Sequence, residues 1–349
     1  MANLTTTAYY TRKAIKYGSI TFVVFLVLRL VWGVASGYWQ KIHPSPPPPP
    51  NTAFGKLPKL SFPQVENLPK FSYRLETIEG TAPKLDSVGR VYFIPKPTAS
   101  LLALDRAKQL AKKMGFQKEP TKISERLFRF EGQNSATTLE IDSISQKFKL
   151  LYDFASDQSI LNEKKLPNDE QAVSEAKSFL RQADLLSDDL ANGQAKVSYL
   201  RFIAPDLIPA ISLSEADFVR VDLFPQNLDN LPILPPNPKQ AQVSLIFSGN
   251  RDLGKRIIQV NYAHSPVNRE RFATYALKDS SVAWQELASG KGYVAAVGEN
   301  SEGEVVIRKI SLAYFESENS QDFLQPIFVF EGDNNFVAYL SAIDPQWTE

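Results

Sequence analysis

Residues Ile20 to Trp39 read Ile-Thr-Phe-Val-Val-Phe-Leu-Val-Leu-Arg-Leu-Val-Trp-Gly-Val-Ala-Ser-Gly-Tyr-Trp. About 20 predominantly apolar residues, rising 1.5 Å each in a helix, cover the ~30 Å hydrocarbon core of a bilayer. No later apolar run approaches this length, so a single membrane segment is expected, with everything after it on one side. Arg12, Lys13 and Lys16 precede the span with no acidic residue, and Lys41 is the only fixed positive charge close behind it. The positive-inside bias then predicts a cytoplasmic N-terminus and an extracytoplasmic C-terminal body. Trp32, Tyr38 and Trp39 lie toward the far end, at the level where amphipathic rings settle.

Three details of the span carry alternatives. Ala35-Ser36-Gly37 puts small residues at the −3 and −1 positions of a signal-peptidase site. A retained anchor is nonetheless expected, because the apolar run continues past Arg29 and ends in bulky aromatics. Arg29 itself either marks a functional contact within the membrane or snorkels to the interface. Gly33 and Gly37, four residues apart, match the small-xxx-small spacing that lets helices approach closely. Arg29, Gly33 and Gly37 are therefore the candidate helix-pairing residues, for a homodimer or for another protein's helix.

The remaining composition is that of an ordinary globular body: 349 residues, 43% hydrophobic and 22% charged. Of 39 basic residues, four fall in residues 1–39, leaving 35 against 38 acidic, a net of −3. That balance gives no electrostatic footprint for nucleic acid. There is no cysteine, which removes disulfides, thiolate metal sites and cysteine nucleophiles from the inventory.

Residues 44–97 hold 12 of the 24 prolines and open with Pro44-Ser-Pro-Pro-Pro-Pro-Pro50. Five consecutive prolines form a stiff polyproline rod of about 15 Å at ~3.1 Å per residue. This reads as a spacer rather than a ligand for proline-recognising modules. Residues 51–70 read as extended chain laid along the domain, with structure proper starting near Phe71 and strands at Phe71–Thr77 and Arg90–Ile94.

From residue 100 an order of elements recurs. Leu104, Ala107, Ala111 and Met114 follow helical spacing, and Gly115 ends that helix. Strands follow at Arg126–Glu131, Thr137–Ile141 and Lys147–Phe154. Asn168, three residues ahead of Gln171, forms a capping-box pattern, and Ala172, Ala176, Phe179, Leu180 and Ala183 make one stripe. Strands then recur at Lys196–Ile203, Phe218–Phe224, Gln242–Phe247, Arg256–Tyr262 and Phe272–Leu277, with Pro225–Pro238 read as a surface loop. A third pass has a helix at Ser281–Leu287 and strands at Val305–Phe315, Pro326–Glu331 and Phe336–Ile343, the last two joined by a turn at Gly332-Asp-Asn-Asn335. The expected fold is α+β: one transmembrane helix, then repeated units of a helix on an antiparallel sheet. The expected division is 1–17 cytoplasmic, 18–39 transmembrane, 40–70 spacer, and α+β units at 71–160, 161–280 and 281–349.

Trp284-Gln-Glu-Leu287 with Gly290, Ile310-Ser-Leu-Ala-Tyr-Phe315, Leu324-Gln-Pro-Ile-Phe-Val-Phe330 and Phe336-Val-Ala-Tyr-Leu-Ser-Ala-Ile343 resemble the PepSY-like domains of the YycH/YycI-type extracytoplasmic regulators. The likeness covers about 70 residues. It implies a bitopic, non-enzymatic protein that touches a membrane sensor through its helix and outer domain.

The chemistry-bearing residues are sparse. His43 lies in the spacer and His264 follows a strand, too little for a zinc site or a Ser-His-Asp triad. His264 is expected to be a polar strand-end residue, and Asp188-Asp189 a helix-end loop. Gly298–Gly303 and Gly332–Asn335 only superficially suggest calcium, and Gly249–Gly254 reads as a hairpin turn rather than a phosphate cradle. Trp284 is expected in the core, and Trp347 is left open. No catalytic, cofactor or metal residue is expected. The leading expectation is a membrane-anchored binding or regulatory protein with a protein partner in the envelope. The alternatives are a carboxylate-dependent enzyme acting on cell wall and an architectural subunit of an envelope assembly.

Overall fold

The computed structural model describes residues 4–42, 49–65, 67–96, 101–133, 136–162, 165–300 and 303–349. The chain divides into two compact units, Met1–Pro49 and Pro50–Glu349. His43 and Pro44–Pro48 lie outside the described residues, so the polyproline rod is not described.

The first unit is the helix α1 (Leu4–Ile42). It is long and apolar enough over Ala8–Trp39 to cross a membrane, and none of its apolar stretch is buried. It starts well ahead of residue 18, so the basic cluster Arg12, Lys13 and Lys16 is helical too.

In the second unit come β1 (Phe71–Leu75) and β2 (Val88–Phe93), then α2 (Ala103–Lys113), β3 (Thr121–Lys122), β4 (Leu127–Glu131), β5 (Thr137–Asp142) and β6 (Phe148–Tyr152). The short α3 (Gln158–Asn162) leads to α4 (Asp169–Gln182) and the one-turn α5 (Asp188–Ala191). Next are β7 (Ala195–Ile203), β8 (Asp206–Pro209), β9 (Phe218–Leu223), β10 (Ile233–Leu234), β11 (Val243–Ser248), the turn α6 (Leu253–Arg256), β12 (Ile257–Tyr262) and β13 (Phe272–Ala276). The chain closes with α7 (Ser280–Ala288), β14 (Tyr293–Ala296), β15 (Gly303–Phe315), β16 (Phe323–Gly332) and β17 (Phe336–Ser341).

Among the described residues these strands form two sheets. One is nine-stranded and antiparallel, in the order β3-β4-β5-β6-β12-β11-β9-β7-β8. The other is eight-stranded, running β1-β15-β16-β17-β14, with β10 beside β15 and β2 between β13 and β16. The protein is thus mixed α+β, with one long apolar N-terminal helix ahead of a sheet-rich body. Each helix expected from sequence stands before its strands. The strands after α2 and those after α4 merge into one sheet through the β6–β12 pairing.

Local chemistry accounts for the helices. The Asn168 carboxamide accepts from Gln171 N–H while the Gln171 side chain accepts from Asn168 N–H, satisfying two orphan donors at once. Ala172, Ala176, Leu180 and Ala183 then sit fully inside against Val219, Val221 and Leu223. In α2 the buried positions are Ala103, Ala107, Leu110 and Ala111, and Gly115 ends the helix at φ +90°. Trp284 is half-buried against the core of the eight-stranded sheet, as is Trp347, whose ring meets Tyr275 edge-on at 6.2 Å.

The described residues of 51–70 lie along the domain as extended chain and the first strand starts at Phe71, both as expected. Packing contacts already begin at Asn51, however, so the segment is more than a spacer. Leu57 is completely buried, its N–H bonds to the Trp347 carbonyl, and Phe62 stacks on Tyr293 at 5.1 Å. Phe54, Leu57, Leu60 and Phe62, isolated hydrophobics of this segment, therefore mark a strap packed on the body, while Val65 and Leu68 stay exposed. One further expectation needs correction: Pro225–Pro238 is no surface loop, since Leu228 and Ile233 are buried, and β10 pairs in parallel with the end of β15. An edge position tolerates prolines because only one side of the strand needs its N–H groups.

Candidate functional site at the seam between the sheets

The chain passes between the two sheets through Pro225–Pro238 and through residues 263–271, and residues 316–322 leave β15 at the same place. Side chains from these segments meet in a buried cluster. His264, just after β12, has a side chain only 1% exposed. Its Nδ1 lies 2.7 Å from Glu316 Oε1, at the end of β15, and its Nε2 lies 3.0 Å from Asp189 Oδ2, on α5. One imidazole thereby ties a carboxylate of the eight-stranded sheet to one that caps the nine-stranded sheet.

Each partner is itself held. Glu316 also accepts from Ser265 N–H, its carbonyl accepts from Gln242 Nε2, and its own N–H donates to Leu234 of β10. Asp189 accepts from the Ser187 hydroxyl and from Leu190 N–H. Its carbonyl accepts from Gln226 N–H, 2.8 Å away in the connector. Gly193 allows this approach: a Cβ there would stand 1.9 Å from the Phe224 carbonyl oxygen.

Electrostatics set the protonation. Burial alone would lower the His264 pKa, but the charges and hydrogen bonds of Glu316 and Asp189 outweigh it and raise the pKa to about 10. Burial pushes Asp189 up, and its hydrogen bond and charge interaction with His264 overcome this and bring it down to about 2. Both ring nitrogens then donate, and the imidazolium has no lone pair left to take a substrate proton or bind a metal. What this geometry can do is hold two sheets together with a charge that one proton controls. Nearby, burial lowers the Lys147 pKa, and its Nζ donates to the Glu318 carbonyl at 2.7 Å.

A second set of contacts pins the connector. Asp229 accepts from Arg90 (2.6 Å), Tyr92 Oη (2.6 Å) and Tyr314 Oη (3.1 Å). Burial, followed by the hydrogen bond to Asp229, raises the Tyr92 pKa to about 12.

Above the seam lies a cleft of about 420 Å³ whose lining includes Lys149, Arg220, Asn237, Gln240 and Asn261. Glu140, Lys149 and Asn261 line it from the directly opposed cross-strand row Arg129–Glu140–Lys149–Asn261–Ser244–Asp222. Part of that row is already spent within the protein: Arg129 pairs with Glu140, and Arg220 with the almost fully buried Asp222. The cleft offers amides and charges of both signs, a surface suited to a polar partner.

The expected pairing residues fall on α1. Arg29, Gly33 and Gly37 are exposed, and no heavy atom lies within 4 Å of a Cβ built at either glycine. Of the two segments that superficially suggested calcium, residues 298–300 and Gly332–Asn335 turn out to pack on one another. Glu299 N–H donates to the Asn334 carbonyl, Asn334 Nδ2 to Asn300 Oδ1, and the Asp333 carboxylate takes both ends of the Arg308 guanidinium. The seam was missed in the sequence. The single signal available was a lone histidine just after a strand, which names no partner.

No family model matches the chain, and no curated protein does. Among solved structures, an uncharacterized protein from Eubacterium rectale is similar, with 14% identity, a TM-score of 0.40, and coverage of 78% of this chain and 88% of that one. The YpeB C-terminal domain of Bacillus megaterium is similar at 10% identity, a TM-score of 0.28, and coverage of 71% of this chain and 95% of that one. Neither score establishes a shared fold. The class defined by the chain itself is a mixed α+β body behind one apolar helix of membrane-spanning length.

Proposed function

We propose that this is a single-pass membrane protein whose body stands outside the cytoplasm as a non-enzymatic binding or regulatory module. The observation that carries this reading is α1, with none of its apolar stretch buried and followed by a cysteine-free, sheet-rich body. The basic residues Arg12, Lys13 and Lys16 ahead of the apolar stretch favour the N-in orientation. The committed state of the seam, where the imidazole is saturated by two carboxylates, favours a structural over a catalytic use of the second histidine. The net of −3 outside the helix speaks against nucleic acid as the partner.

The PepSY-like reading of residues 281–343 is supported by α7 packing on the antiparallel β15–β16–β17 array. A membrane sensor or an envelope complex is then the class of partner, met through the outer body and through the open Gly33/Gly37 face of α1. Photo-crosslinking in intact cells from positions around Asn237 and Gln240 tests this. A defined envelope protein should be recovered, and recovery of uncrosslinked chain alone would contradict it.

A further inference from the structure

We propose that the groove between α4 and the β11–β12 hairpin is a binding site for a single-chain amphiphile with an anionic head, such as a fatty acid. The groove encloses about 770 Å³, within the ~300–1,000 Å³ typical of small-molecule sites. Its floor is apolar, made by Leu166, Phe179, Phe247 and Ile257, all of which belong to or pack against the core of the nine-stranded sheet. On α4 the lining residues Gln171, Glu175, Ser178, Phe179 and Gln182 follow i, i+4, i+7, i+8, i+11. That is one helical face, offset from the Ala172/Ala176/Leu180 stripe that faces the core. The helix thus lends one face to the sheet and a second, mixed face to the groove.

The rim is cationic. Its ionisable residues are Lys165, Arg251, Arg256 and Glu175. Arg256 and Glu175 satisfy each other through two bonds of 2.9 and 2.8 Å, and a third Arg256 nitrogen donates to the Ser248 carbonyl, which fixes the wall. Lys165 and Arg251 have no carboxylate partner among the described residues, and both are exposed. An apolar trough with two uncommitted cations at its mouth complements a chain that ends in a carboxylate. A neutral chain would leave the cations unused, and a free small anion would leave the trough wet.

The test uses the full-length protein in lipid nanodiscs and a diazirine-bearing palmitate analogue, with the matching hexadecanol analogue as control. Adducts mapped by peptide mass spectrometry should fall on residues 165–182 and 247–257. Excess palmitate should remove them, whereas equimolar acetate should not. Lys165→Glu or Arg251→Glu should each cut adduct yield roughly tenfold, the loss of one charge-assisted contact. Thermal unfolding of these surface variants should match the parent chain. Equal labelling by the alcohol, competition by acetate, adducts confined to other segments, or indifference to both charge reversals would each overturn the proposal.

Discussion

His264 and Glu316 stand 52 residues apart in the chain and 2.7 Å apart in the fold, joined across the seam between the two sheets with Asp189 on the opposite ring nitrogen. Removing the imidazole would leave two buried carboxylates facing each other. His264→Ala should therefore destabilise the body by about 3–5 kcal/mol, the cost of stranding buried charge. Urea denaturation of the two proteins measures it, and a loss below 1 kcal/mol would show that the cluster does not hold the sheets.

The same cluster fixes a pH window. The folded His264 pKa is raised from 6.5 to about 10, so its contribution is complete below pH 6.5 and is lost as pH rises through about 10. The Asp189 pKa is lowered from 3.8 to about 2, so its contribution is complete above pH 3.8 and lost as pH falls toward 2. The seam is strongest between these limits. Urea midpoints of the parent chain should fall more steeply between pH 6.5 and 10 than those of His264→Gln. Parallel slopes would contradict the assignment.

Gly193 is required by contact rather than by backbone angle. A Cβ there meets the Phe224 carbonyl at 1.9 Å and the Asp189 carbonyl at 2.8 Å. Gly193→Ala should cost about 1–3 kcal/mol through the backbone shift it forces. It should also weaken the pH dependence above, because it moves the segment that carries Asp189. A stability equal to the parent's would refute the close approach.

The strap offers a separate check. Leu57 is completely buried among strands contributed by the other end of the chain, and Leu57→Ala should cost about 2–5 kcal/mol. Hydrogen exchange should show residues 51–62 protected in the parent chain and opened in the variant. Early exchange in the parent would mean that the strap is not docked.

Much of the architecture was legible because periodicity is local. The capping box at Asn168, the strand runs of β6, β9 and β12, and the Gly332–Asn335 turn each declare themselves within a few residues. Pairing partners do not. Phe71 pairs with Gly303 and Ile233 with Tyr314, and nothing in either segment names the other. Proline density also misled at Pro225–Pro238, where a two-residue edge strand needs few donors. His264 was invisible as a site because its meaning lies in Asp189 and Glu316, contributed by α5 and by the end of β15.

Membrane topology bears most directly on the reading of this chain. The absence of native cysteine makes single introduced thiols unambiguous reporters. Thr5→Cys ahead of the apolar stretch and Ile211→Cys on the exposed body would be treated with a membrane-impermeant maleimide in intact cells. Labelling at position 211 in intact cells, and at position 5 only after permeabilisation, is the expected result. The reverse pattern, or full-length protein recovered in the soluble fraction, would contradict both the anchor and the outer placement of the body.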